Sequence, residues 1–108
     1  MSDLVLVLTT MPDDLHAEEL ARTLVDERLA ACVNVSGPML STYQWKGQIE
    51  TASERQVTIK TTRACLPALE ARMRALHPYE LPEWVTLDVE ASDAYARWVN
   101  DATRSGSV

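Results

Sequence analysis

Phenylalanine is absent from all 108 residues, so leucine, valine, alanine and three tryptophans must fill whatever interior the chain builds. Cysteine occurs only as Cys32 and Cys65, at a separation that fits no paired metal or redox motif. Both are expected to be reduced and buried, as free cysteine usually is. The apolar run Leu4 to Leu8 falls far short of the roughly 20 residues of a spanning helix, and no basic stretch precedes it. Cytoplasmic residence without a membrane partner is the expectation. Basic side chains are also scarce, 10 against 16 acidic, for a formal charge of -6. Such a chain repels phosphate backbones and anionic membranes, which argues against nucleic acid. The excess acid suits cations, or solubility alone. Nucleophile motifs, phosphate loops and paired-histidine metal signatures are missing, and no acid–base pair is poised by spacing. No turnover is expected.

What remains is ordinary globular composition, 46% hydrophobic and 24% charged, of a size for one domain spanning 1–108. Its organising stretch is Cys32 to Thr61. Val33, Val35, Thr42, Tyr43, Trp45, Ile49, Val57, Thr58 and Ile59 are strand formers, and Lys46-Gly47 marks a turn between two arms. Each arm is roughly 12 residues, about twice the usual strand. A two-residue turn at Lys46-Gly47 sets Val33 opposite Lys60, mixing faces. A three-residue turn, Lys46 to Gln48, sets Val35 opposite Ile59 and Val33 opposite Thr61, and is preferred. A β-bulge near Gly37-Pro38 gives the same shift for the inner half, and Pro38 demands a kink there in either case.

Around that hairpin the order is β-α-β-β-α-β plus a terminal helix. Leu4 to Thr10 reads as a strand buried on both faces. Asp13 or Asp14 caps a helix with stripe Leu20, Ala21, Leu24, Val25 and Leu29, ending near Leu29 to Ala31. Arg63 to Leu76 is a second helix capped by Thr62, with stripe Leu66, Leu69, Met73 and Leu76. His77-Pro78-Tyr79-Glu80-Leu81-Pro82-Glu83 is a rigid loop. Trp84 to Glu90 alternates as a half-buried strand, and Ser92 or Asp93 caps a short helix to about Asp101 with Tyr95, Trp98 and Val99 inward. Residues 103–108 form a frayed tail. The fold class is α+β, ferredoxin-like: a split β-α-β antiparallel sheet with two helices on one face. The sheet's other face has no helix assigned to it. With the overhanging outer hairpin and its Tyr43, Trp45 and Ile49, this predicts an oligomer of exchanged strand edges.

Few residues stand out chemically. His16 reads as a surface residue. His77 is either a charge partner for its helix end or a ligand beside Tyr79, Glu80 and Glu83. Lys60, in an apolar strand, needs Glu54 or Glu83 as partner, or snorkels to the rim. Tyr43 and Trp45 are interface anchors or ligand-stacking aromatics, the interface being preferred together with Ile49.

Thr9-Thr10 with Pro12-Asp13, Leu29-Ala30-Ala31-Cys32-Val33-Asn34, Tyr43-Gln44-Trp45-Lys46-Gly47, Ile59-Lys60-Thr61, His77 to Glu83, and Tyr95 with Trp98 together carry a resemblance. The chain resembles the CutA divalent-cation-tolerance proteins along nearly its whole length. The resemblance implies a ferredoxin-like protomer in a homotrimer with long hairpins packed between subunits. That trimer is similar to the PII signalling proteins, which bind small ligands in inter-subunit clefts. It implies a role in response to metal ions, with no required cofactor and divalent cations, copper among them, as ligands. Some bacterial members are described as binding copper through a first-strand cysteine and two adjacent histidines. Those positions look like Thr9, Leu76 and His77 here, so one imidazole survives and copper is expected to bind far more weakly. His77 and Glu83 are the candidate metal ligands; Asn34, Trp45, Lys60 and Tyr79 are the candidate cleft residues. The alternatives are a PII-like small-ligand sensor and a structural trimer that anchors a partner protein.

Overall fold

The computed structural model describes residues 3–104. Four strands form one antiparallel sheet: β1 (Leu4–Pro12), β2 (Cys32–Trp45), β3 (Gln48–Thr62) and β4 (Val85–Asp88), in the order β2-β3-β1-β4. Two helices, α1 (His16–Asp26) and α2 (Leu66–Leu76), cover one face, and α3 (Asp93–Thr103) follows β4. This is the α+β, ferredoxin-like arrangement that the element order predicts.

Alternation along β1 decides which side chains reach which layer. Val5, Val7 and Met11 point into the main core with Ala17, Leu20 and Leu24 of α1, Leu69 and Met73 of α2, and Val57 and Ile59 of β3. Each such large side chain contributes about 1.5–3 kcal/mol by leaving water. Leu4 points the other way, to a second cluster with Ala31 and Val99 of α3. The face without an assigned helix is therefore partly covered by α3. Within that helix Val99 is buried, whereas Tyr95 and Trp98 are 37% and 48% exposed, contrary to the expected inner face.

The hairpin departs from expectation in an instructive way. Its turn has two residues, with Lys46 at φ 51° and Gly47 at φ 79°, the paired left-handed conformation that matches strand twist. Trp45 pairs with Gln48, and the register holds to Pro38 opposite Arg55. A bulge lies between Val35 and Pro38, beyond which Val35 faces Val57 and Val33 faces Ile59. The irregularity sits where Pro38 requires it, but the extra residue is on β2, so the shift runs opposite to the expected one. Alternation fixes parity, and both shifts satisfy it. The backbone N–H of Gln56 donates to Ser36 Oγ at 3.1 Å inside the bulge. As a result Val33 and Val35 pack on the main core while Tyr43 and Trp45, of the same parity, line the opposite face.

Other boundaries differ modestly. α1 stops at Asp26, because Arg28 takes φ 59° and the amides of Leu29 and Ala30 return to Leu24 O; Val25 lies outside its buried stripe. Asp14 does serve the helix start, accepting from His16 N–H at 2.9 Å, and that bond holds its carboxyl below the usual range. Arg63–Cys65 form a 3-10 turn before α2, and Thr62 makes no side-chain cap. β4 is shorter than Trp84 to Glu90 and is exposed along its length. Ser92 caps α3, its Oγ accepting from Tyr95 N–H. That helix continues to Thr103, which is buried; residues 105–108 of the expected tail lie outside the described residues. Cys32 and Cys65 are free and half-buried.

Candidate functional site

Outer β2 and β3 form one wall of a groove on the sheet face opposite α1 and α2, and the loop 78–83 forms the other. Its volume is about 950 Å³. Met39, Ser41, Tyr43 and Trp45 come from β2, and Glu50, Ala52, Glu54 and Gln56 from β3. Those two rows are cross-strand partners, Met39 with Glu54 and Tyr43 with Glu50, so register alone places them side by side.

The loop is held in place by a chain of hydrogen bonds. His77 is 8% exposed, and its Nε2 lies 2.8 Å from the carbonyl of Thr10. A carbonyl only accepts, so Nε2 carries the proton. The other ring nitrogen, Nδ1, then accepts from Tyr79 N–H at 3.2 Å. Burial pushes the imidazole pKa down, and the ring is neutral with both nitrogens engaged. Tyr79 packs on that ring at 4.8 Å between centroids and donates its hydroxyl to Glu54 Oε2 at 2.6 Å. Burial first, and then the Glu54 carboxylate, push the Tyr79 phenol well above its usual range. At the tip, Lys46 Nζ comes within 4.0 Å of Glu80.

The sequence-derived residues divide into separate places. Trp45 and Tyr79 share the groove with Tyr43 and Glu83. Ile49 and Leu40 occupy the other side of the ribbon, 79% and 74% exposed. Lys60 lies on the inner half, its Nζ 5.9 Å from the Tyr95 ring centre, and pairs with neither Glu54 nor Glu83. Asn34 sits near it, exposed, opposite Thr58. Twelve residues of extended β3 separate Lys60 from Gln48, the partner of Trp45, a span of about 40 Å. A single chain therefore does not bring Asn34, Lys60 and Trp45 to one cleft. Glu54, which the sequence offers only as a partner for Lys60, and Thr10 also line the groove, a placement that depends on strand register.

A tight copper site needs three or four donors with free lone pairs. Thr9 is fully buried, its Oγ1 without a partner among the described residues, and it is no thiol. Leu76 offers no donor, His77 has both nitrogens occupied, and Glu83 is a single exposed carboxylate. Among the described residues no three histidines, cysteines or acids cluster as a metal set. The residues of one chain do not fit a tight copper site. No helix among the described residues is long and apolar enough to cross a membrane.

A split β-α-β sheet with an overlong central hairpin and a groove beneath it defines the class: an α+β protein of ferredoxin-like fold. Residues 5–102 match the family described as CutA1 divalent ion tolerance protein, and the chain belongs to that family. The divalent-cation tolerance protein CutA of Thermus thermophilus is 41% identical over 98 residues, 90% of this chain and 95% of that one. The crystal structure of CutA from Xylella fastidiosa is 43% identical, covers 95% of this chain and 100% of that chain, and superposes with a TM-score of 0.91. Mouse Protein CutA is 44% identical over 91% of this chain, yet the matched region spans 56% of the mouse protein. The chain thus covers little more than half the length of its mammalian relatives.

Proposed function

We propose that the chain acts as a non-enzymatic, cytoplasmic homotrimer of divalent-cation tolerance, with its working clefts between subunits. The observation behind this is the outer ribbon. β1 ends at Pro12 opposite Glu54, so beyond that point the ribbon has only two strands. It nevertheless exposes Leu40, Tyr43 and Ile49. A bare two-stranded ribbon is marginal in water, and sister subunits are its simplest cover. The groove is then one wall of an inter-subunit cleft. Divalent-ion binding in this reading is weak and shared: Glu83 offers oxygen, and His77 ligates only by giving up the hydrogen bond from Tyr79. Sedimentation at micromolar concentration is expected to give three times the chain mass, and a folded single chain overturns the assembly. Calorimetry with copper and zinc, repeated with His77→Ala, tests the ion: weak heat that falls in the variant supports it, and no heat with either metal sinks it.

The aromatic groove also favours a second reading, a PII-like sensor of a small ligand. A nucleotide that raises the melting temperature in a thermal-shift screen supports it, and a flat screen removes it.

A further inference from the structure

The groove holds a charge that the chain does not answer. Glu54 is 7% exposed. One carboxylate oxygen, Oε2, accepts from Tyr79; Oε1 takes no hydrogen bond from any described residue. Nor does any described lysine or arginine pair with it. Arg55, next in sequence, turns to Asp13 at 3.0 Å. Lys46 reaches Glu80 at the tip, Lys60 lies over Tyr95, and neighbouring His77 is neutral. Oε1 is open to the groove, since the unpartnered buried side-chain atom among the described residues is Thr9 Oγ1 alone, and a cation that enters the groove meets this oxygen in surroundings that strengthen the attraction. The groove is also lined by Tyr43, Trp45 and Met39, and by Glu50 and Glu83; the faces of aromatic rings are electron-rich.

We propose that this groove binds a small organic cation, an ammonium or guanidinium head seated against Glu54 with its carbon skeleton on Tyr43 and Trp45. A hard divalent ion asks for six or more oxygens, and although four glutamates line the groove, no three acids, histidines or cysteines among the described residues converge as a metal set. A weakly hydrated organic cation gains from both the carboxylate and the rings. The inference rests on the groove being the cleft of the trimer proposed above.

The test uses the intact protein with tetramethylammonium chloride as probe and sodium chloride at equal ionic strength as reference. Saturable shifts of the Met39 methyl and Trp45 indole resonances are expected, with affinity at least about tenfold weaker in Glu54→Gln. Should that variant fail to fold, Trp45→Leu removes one wall instead and is expected to lose about fivefold, read at Met39. The proposal is overturned by no saturable shift in a protein that sediments as a trimer, or by equal affinity in folded Glu54→Gln. It is equally overturned if neutral tert-butanol or magnesium chloride reproduces the shifts. Probe binding that depends on Glu54 in a protein sedimenting as a single chain upholds the ion pair and overturns the assembly alone.

Discussion

Tyr79 and Glu54, 25 residues apart in the chain, are joined by a 2.6 Å hydrogen bond from phenol to carboxylate. That bond fastens the 77–83 loop to the central ribbon and fixes one side of the groove. Tyr79→Phe keeps the ring against His77 and removes the bond, leaving a buried carboxylate without its donor. A loss of about 1.5–3 kcal/mol is expected, the usual range for a hydrogen bond to a charged group. Urea denaturation of the variant checks it. In the native protein the Tyr79 phenol is expected to stay protonated at pH 11, where a free tyrosine has ionised. Above pH 10 the unfolded chain sheds this proton while the folded chain keeps it, so stability falls as pH rises.

His77 sets the acid side. Its folded pKa lies below the ordinary 6.5, so as pH falls through that value the unfolded chain takes up a proton that the folded chain refuses. Stability is full above about pH 7 and declines below it, by at most about 1.4 kcal/mol per pH unit for one proton. His77→Gln is expected to flatten the profile between pH 7.5 and 5, measured by urea melts across that range.

Thr9 is buried beneath α1 and α2 with its hydroxyl unpartnered among the described residues. Thr9→Val keeps the shape and removes the unmet polar atom. The variant is expected to gain about 1 kcal/mol in chemical denaturation, and a loss of stability would show that the hydroxyl is satisfied.

At the hairpin tip, Gly47 sits at φ 79° with no atom near enough to obstruct a side chain. Gly47→Val meets a backbone penalty, not a clash, of about 1–2 kcal/mol. Thermal denaturation measures it.

Much of the architecture is legible from pattern. The apolar spacing in Leu20–Leu24 and in Leu69–Met73 places α1 and α2, and Pro38 marks the bulge. What the pattern leaves open is sign. Val33 and Val35 face apolar partners whether the register slips forward or back, and only packing chooses. Nor does pattern decide the inward face of α3: Tyr95, Trp98 and Val99 form an ordinary stripe of about 100°, yet only Val99, at one edge of it, turns to Leu4 and the rings stay out. The candidate site is legible in its loop, where prolines constrain Tyr79, and illegible in Glu54, whose neighbours are set by β1 meeting β3. Lys60 misleads because strand position says nothing of which end of a long ribbon a charge serves.

The bulge at Ser36 and Gly37 is also a pivot. From there to Trp45 the ribbon is a lever of about 25–30 Å, so a change of about 10° at the pivot carries the tip through about 5 Å. Small changes at two exposed residues of the edge strand are thus magnified at the indole. The width of the groove at its outer end therefore follows the angle of a joint that one of its own lining residues, Gln56, holds through Ser36.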